Sequence, residues 1–374
     1  QAGVGRWLEP FATTDDMIAR EISVRLGGKA VPTGRSAWYI WRGNIWEYTD
    51  APGMMVRDEL YKVAEELTQV ATVLETQDKD KEAKKYHGRA SQLLSRASID
   101  NLTALVRGEL AVSTEEFVEH KFRLNTPGGL VNLEDGTTRP VRPSDSVTCV
   151  TAFTPADTYD PAKAPAWESF LDHATNGDRE LRRFLRRWYG YTLTGDMGEK
   201  KFMFVYGHKS NTGKSTLVNA IADTLGSYAR STDVDTFMGR KTNTDALAQL
   251  EGKRMVVATE PSAGQMWDDK IIKAITGGDP IEARRLYQSE RIFYPVFKLT
   301  FAGNHEPELK TVDAPLLKRL TIIPMNNQIQ NPDSTMGARL KAEGPQILRW
   351  CIDGCLEWQE LGGLCPPESV QVAT

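Results

Sequence analysis

Apolar and polar positions change rhythm several times along the chain. Residues 38–48, WYIWRGNIWEY, carry aromatic side chains on both sides of Arg42-Gly43-Asn44, which predicts two short strands around a turn. From 57 to 97 the period becomes helical, with Leu60, Val63, Ala64, Leu67, Val70 and Ala71 recurring at three- and four-residue steps. Within it DKDKEAKK, residues 78–85, is a charge run that reads as a solvated face or a loop. LVNLEDGTTRPV, residues 130–141, sets Asp135-Gly136 between apolar flanks and predicts a hairpin. Prolines at 140, 143, 155, 161 and 165 predict an extended connector. WESFLDHATNGDRELRRFLRRWYGYTLTG then returns to helix, with turns at Asn176-Gly177 and Gly195.

From about residue 197 short apolar runs alternate with helical patterns: KFMFVYG, 214–225, RMVVATE, 268–275, FKLTFAGN and RLTIIPM. Strands that alternate with helices predict an α/β fold with a parallel sheet and helices on its faces. Residues 334–361 are helical again, with Ile347, Trp350, Cys351 and Leu356 on the packing face.

Composition narrows the class. The 374 residues suffice for two or three domains, and 40% hydrophobic with 26% charged residues fits a soluble globular protein. No apolar run approaches the roughly 20 residues of a membrane span, and the N-terminus shows no secretory signal. The chain starts on Gln1 rather than Met, which fits a piece of a longer protein. A net charge of -4 gives no overall nucleic-acid signature, though basic residues can still gather on one face. Cys351 and Cys355 stand four apart without a histidine pair, so these, Cys149 and Cys365 read as reduced structural thiols of a cytosolic protein. Zinc is the remote alternative.

The chemistry concentrates in GHKSNTGKST, residues 207–216. It ends as a phosphate-binding loop ends, yet five residues rather than four separate Gly207 from Gly213. The stretch lies between a buried-strand pattern and a helical one, the context such a loop requires. Backbone N–H groups at the helix start would face phosphates, aided by the helix dipole. Gly213 would let the backbone pass close. Lys214 would pair with the β- and γ-phosphates, and Ser215 would offer its hydroxyl to Mg²⁺. Asn211, Thr212 and Thr216 complete the candidate nucleotide contacts. The extra residue lengthens the outer arc and leaves the helix start in register. Without ligand, Lys214 is expected to face solvent.

Further along, RMVVATE ends on Glu260, placed to orient Mg²⁺ or an attacking water; Thr259 precedes it where many ATPases have Asp. KLTFAGN delivers Asn304 to the same end of the sheet, where an amide can hold water or sense a γ-phosphate; a turn residue is the plainer reading. Lys318-Arg319 precedes RLTIIPM, so Arg319 reads either as an arginine finger across a subunit interface or as a basic helix cap. Arg284, Arg285, Tyr287 and Arg291 share one short hairpin candidate, a mix of cations and an aromatic ring suited to single strands. With Glu282 and Glu290 beside them, a charged surface hairpin is the alternative. Arg182, Arg183, Arg186 and Arg187 form two i,i+4 rows on a helix and read as a solvated face, a subunit contact or a DNA path, the first two being favoured.

In this order GHKSNTGKST, VVATE, KAITGGDPIEAR, KLTFAGNHEPEL and LLKRLTIIP resemble the helicase part of phage- and plasmid-type primase–helicases, superfamily 3 helicases within the AAA+ ATPases. LNTPGGLVNLEDG and FLRRWYGYTLTGD look like the domain that precedes the ATPase in that family. The resemblance implies an AAA+ core at 196–330, a preceding domain at 99–195, an N-terminal region of small strands and helices at 1–98, and a helical tail at 331–374. It implies Lys214 and Ser215 on phosphate and Mg²⁺, Glu260 as the Walker B acid, Asn304 as sensor 1 and Arg319, or Lys318, as the finger. It makes GGDPIEARRLYQSERIFYP a hairpin that grips DNA in the channel of a hexameric ring. It further implies ATP-driven unwinding, with 3′ to 5′ polarity, in the cytoplasm of a host cell. A primase domain and a C-terminal winged helix are usual in such proteins, and neither is evident here. Two departures stand out: the longer phosphate loop, and Lys-Arg where Arg-Arg is common. A DNA-binding initiator or loader that hydrolyses ATP, and a structural ring that uses ATP to assemble, are the competing readings.

Overall fold

The computed structural model describes residues 5–9, 11–33, 37–49, 51, 53–111, 120–237, 244–259, 267–284, 291–304 and 314–374. The chain divides into two compact units, residues 1–118 and 119–374.

In the first unit, α1 (Asp15–Leu26) leads into an antiparallel sheet of β1 (Ala30–Thr33), β2 (Ala37–Trp41) and β3 (Trp46–Thr49), in that order. The turn after Trp41 falls where Arg42-Gly43-Asn44 predicts it. Then come α2 (Gly53–Glu75), α3 (Asp80–Leu93) and α4 (Arg96–Glu109). The helical period of 57–97 therefore belongs to two long helices, broken after Glu75 within reach of the charge run. Leu60, Val63, Leu67, Val70 and Ala71 are buried on α2, against Ile18 and Ile22 of α1 and Leu102 and Val106 of α4.

The second unit opens with β4 (Arg123–Thr126), β5 (Gly129–Asn132) and β6 (Thr138–Arg139), an antiparallel meander whose second turn holds Asp135-Gly136. Next are α5 (Pro165–Ala174) and α6 (Arg179–Thr192), the latter started by Asp178, which accepts from the N–H groups of Glu180 and Leu181. The remaining elements are β7 (Phe202–Tyr206), α7 (Lys214–Leu225), β8 (Ala229–Thr232), α8 (Thr244–Ala248), β9 (Met255–Thr259), α9 (Asp269–Gly277), β10 (Ile281–Ala283), β11 (Arg291–Phe293), β12 (Lys298–Gly303), α10 (Ala314–Leu317), β13 (Leu320–Pro324), α11 (Met336–Ala342), α12 (Gly344–Glu360) and α13 (Glu368–Ala373).

Five strands make one parallel sheet in the order β13-β7-β12-β9-β8. Both faces of the inner strands are buried, which is why β7, β9 and β12 are largely apolar, whereas the edge strand β8, Ala229-Arg230-Ser231-Thr232, is polar and part-exposed. Met203, Val205, Val257, Ala302 and Ile323 join one core with α5, α6, α7 and α12. Phe202, Phe204, Val256, Leu299 and Phe301 turn the other way, onto Trp267, Ile272, Ile275 and Leu316. The expected α/β architecture with helices on both sides of a parallel sheet is what the chain adopts.

Two features of α6 correct the sequence reading. Its arginines are not simply a solvated row. Arg187 is buried and donates to the carbonyls of Leu364 (3.0 Å) and Cys365 (3.1 Å) and to Glu357 (2.8 Å). Arg182 is paired with Glu168. The helix also crosses α12 at backbone contact. A Cβ on Gly190 would lie 2.1 Å from the Cys355 nitrogen, and one on Gly354 would lie 2.0 Å from the Arg186 carbonyl oxygen. Gly354→Ala is accordingly expected to lower stability by about 1–3 kcal/mol or more, since backbone rather than a side chain must yield. A urea unfolding midpoint that stays at the parent value would contradict that crossing. Cys351 and Cys355 lie one turn apart on α12, both buried; burial raises both thiol pKa values, that of Cys355 to about 12.

Candidate nucleotide-binding site

β7 carries the chain to Gly207, and α7 begins at Lys214. Gly207 passes against the segment that follows β13: a Cβ there would sit 2.1 Å from the Met325 carbonyl oxygen. Met325 N–H donates to the Tyr206 carbonyl at 2.7 Å, and Ile329 N–H to that of Asn211 at 2.8 Å. Asn211 itself is left-handed, φ 56°, a conformation Asn tolerates better than most residues. The longer outer arc thus turns at Asn211 and is braced by residues 325–329. Gly213 closes the loop at φ 89° over the Phe170 ring, whose edge a Cβ would approach to 3.0 Å.

The start of α7 is open to a ligand. Gly213 is its N-cap and has no side chain to satisfy the first-turn N–H groups, while Ser215 is exposed beside them. Free N–H groups and the positive end of a helix dipole form a ready anion site. Lys214 differs from expectation. It is buried rather than solvent-facing, and its ammonium donates to the carbonyls of Gly207 (2.9 Å) and Lys209 (2.9 Å) and to the Thr212 hydroxyl (3.0 Å). Three N–H donors meet three loop oxygens, so the curl of the loop itself holds the lysine in. Burial lowers its pKa from the ordinary lysine value.

The sheet register places the other candidates. Gly303 of β12 pairs with Tyr206 of β7, and Ala302 with Thr259 of β9. Asn304 therefore leaves β12 at the same end of the sheet as the loop, and is exposed. Glu260 directly follows β9 and lies outside the described residues, as do Arg285 and Tyr287. Arg319 precedes β13 at the opposite end, where Leu320 pairs with Phe202. A five-residue strand spans about 16 Å, too far for Arg319 to reach the loop of its own chain. Its guanidinium donates to the Lys273 carbonyl (3.2 Å) and the Thr276 hydroxyl (2.8 Å), in the last turn of α9. Lys318 is exposed.

β10 and β11 pair antiparallel, with Ala283 opposite Arg291, so the predicted hairpin has its two arms. Arg284 is exposed at the end of the first arm. Sequence reading missed Ile292 and Tyr294, exposed by 62% and 68% beside the second arm. It also missed Phe170, Met325 and Ile329 as the supports of the loop. The run RIFYP signalled the former; the latter are brought together only by the fold.

This strand–loop–helix unit sits at one end of a five-stranded parallel sheet with helices on both sides. Residues 16–176 match the family described as D5 N terminal like, and residues 205–319 match one described as Family of unknown function (DUF5906). The chain is 27% identical over 232 residues to a protein of Acanthamoeba polyphaga mimivirus named "Putative helicase", covering 60% of this chain and 24% of that one. A "Putative helicase" of Frog virus 3 (isolate Goorha) is 28% identical over 172 residues, 44% of this chain and 18% of the relative. One of Sputnik virophage is 30% identical over 136 residues, 34% of this chain and 17% of the relative. The chain thus spans a quarter or less of these relatives. Among solved structures, the C-terminal region of NrS-1 in an apo form aligns with a TM-score of 0.43 at 14% identity, over 53% of this chain and 47% of that one. Residues 16–176 are thus similar to the D5 N-terminal-like family, and the chain is similar to viral proteins named putative helicases, in keeping with the phage-type primase–helicase resemblance of its motifs. Among the described residues no helix is long and apolar enough to cross a membrane.

Proposed function

We propose that the chain is the ATP-dependent, DNA-unwinding part of a phage, viral or plasmid replication protein, working as a hexameric ring. The observation that carries this is the uncapped start of α7, with Lys214 inside the loop and Asn304 at the same sheet end. ATP would lie along the loop with its phosphates at the N–H groups of α7. Lys214 would leave its loop oxygens for the β- and γ-phosphates, exchanging neutral acceptors for charged ones. Ser215 and Glu260 would hold Mg²⁺, whose chemistry is to neutralise charge that builds on the transferred phosphoryl group. Asn304 would orient the attacking water. Arg319, a strand length from the loop of its own chain, would serve the neighbouring subunit. The hairpin of β10 and β11, with Arg284, Arg285, Tyr287 and Arg291, would grip one DNA strand.

Strand displacement on a forked duplex tests the reading. The native chain with ATP and Mg²⁺ is expected to release the labelled strand, and ATP hydrolysis is expected to rise with added single strand. DNA-stimulated hydrolysis without displacement would favour an initiator or loader. Hydrolysis indifferent to DNA would favour a structural ring.

A further inference from the structure

A second cationic feature lies away from the phosphate loop. Arg179, Arg182, Arg183 and Arg186 follow one face of α6 and, with Tyr159 and Trp350, line a cleft of about 290 Å³. Their charges are unequally matched. Arg182 is paired with Glu168, which also accepts from the Tyr159 hydroxyl. Arg183 meets Glu180 at 3.0 Å, but both side chains are well exposed, and such a pair contributes little. Arg186 lies 3.8 Å from Asp353 and 3.7 Å from Glu357, beyond hydrogen-bond range, and its Nε is buried with no hydrogen-bond partner. Those two carboxylates are already engaged, Asp353 by Arg349 at 2.6 Å and Glu357 by Arg187 at 2.8 Å. Arg179 forms no ion pair among the described residues.

Helix α6 is fastened to its neighbours by Arg187, by the Arg182–Glu168 pair and by the glycine crossing, which uses the Arg186 backbone, whereas the side chains of Arg179 and Arg183 take no part in those contacts. A buried donor without an acceptor is unfavourable unless something supplies one. From the geometry we infer that the cleft is a binding site for the phosphodiester backbone of a nucleic-acid strand. The row from Arg179 to Arg186 extends about 10 Å along the helix. A strand of duplex DNA advances about 3.4 Å per phosphate, so a row of that length can meet more than one phosphate of a strand. A single free phosphate would need one fork of donors rather than a row. Of the two aromatic residues at the cleft, Trp350 is buried against Trp167, and Tyr159 is partly exposed and adds aromatic surface of the kind single strands use. The site would hold the strand on the domain ahead of the ATPase sheet, in addition to the hairpin. This inference rests on DNA being the partner, as proposed above.

The test is anisotropy of a fluorescent oligo-dT with the full chain, titrated between 50 and 200 mM salt as fold-safe variants are compared. R179Q/R183Q changes two exposed side chains, and circular dichroism with thermal melting checks that the fold is kept. Binding is expected to weaken several-fold, and the slope of log affinity against log salt to shrink by about 1.4, from two contacts at about 0.7 each on a single strand. A parent slope in the variant would overturn this site while leaving the unwinding reading in place. A parent chain that binds no oligo-dT would overturn both. Loss of tripolyphosphate binding in the variant, with oligo-dT binding intact, would make the cleft a free-polyphosphate site and overturn the strand assignment. A changed sedimentation coefficient with an unaltered DNA slope would make the row a subunit contact and overturn it as well.

Discussion

Lys214→Ala is expected to reduce ATP hydrolysis by at least about 10²-fold, the scale on which removing one donor to a developing charge acts. The structure adds a second effect. The lysine ties Gly207, Lys209 and Thr212 together through one ammonium, so its removal loosens the loop as well as the phosphate contact. Hydrogen exchange of amides in 207–213 should therefore quicken in Lys214→Ala even without nucleotide. Overall stability should fall by no more than about 1.5–3 kcal/mol, the range for hydrogen bonds to a charged group, since the freed carbonyls can take water. Hydrolysis at the parent rate would place the nucleotide site elsewhere on the chain. Lost hydrolysis with unchanged exchange would show that the lysine does not hold the loop.

The contrast between expected and observed lysine environments shows what sequence could convey. KFMFVYG followed by GKSTLVNAIADTL was readable as strand, loop and helix, because an apolar run bounded by glycine and a helical period are local signals. The Asp135-Gly136 turn and the alternation that predicts a parallel sheet are local in the same sense. The lysine's acceptors depend on how the loop curls, and that curl is set by Met325 and Ile329, more than a hundred residues on. Arg187 makes the same point. An i,i+4 row on a helix says nothing of the carbonyls it reaches, which belong to Leu364 and Cys365, 177 and 178 residues away. Sequence alone leaves Arg319 between two readings, because its role turns on where the strand register places it. The register shows which end of the sheet it occupies and which helix end it touches, α9.

Arg319→Ala is expected to bind ATP and hydrolyse it poorly, by about 10³- to 10⁵-fold if the side chain is a finger. As a bond to the end of α9 it would matter far less, about 1 kcal/mol of stability. Thr276→Ala separates the two, because it removes the hydroxyl that Arg319 bonds and leaves the guanidinium in place. A large loss of hydrolysis in Arg319→Ala with near-parent turnover in Thr276→Ala would support the finger. Equal losses in both would make the α9 contact the whole of its role. The distance of one strand between Arg319 and its own loop requires that a finger act on a neighbour, which mixing can test. Lys214→Ala supplies intact fingers and Arg319→Ala supplies intact loops. Rings that contain both should regain part of the parent activity at interfaces where a good loop meets a good finger. Cross-linking or mass measurement would establish that the rings are mixed. Mixed rings as inactive as their components would count against a shared site. Parent-level turnover in Arg319→Ala alone would pass the role to the exposed Lys318 or remove it.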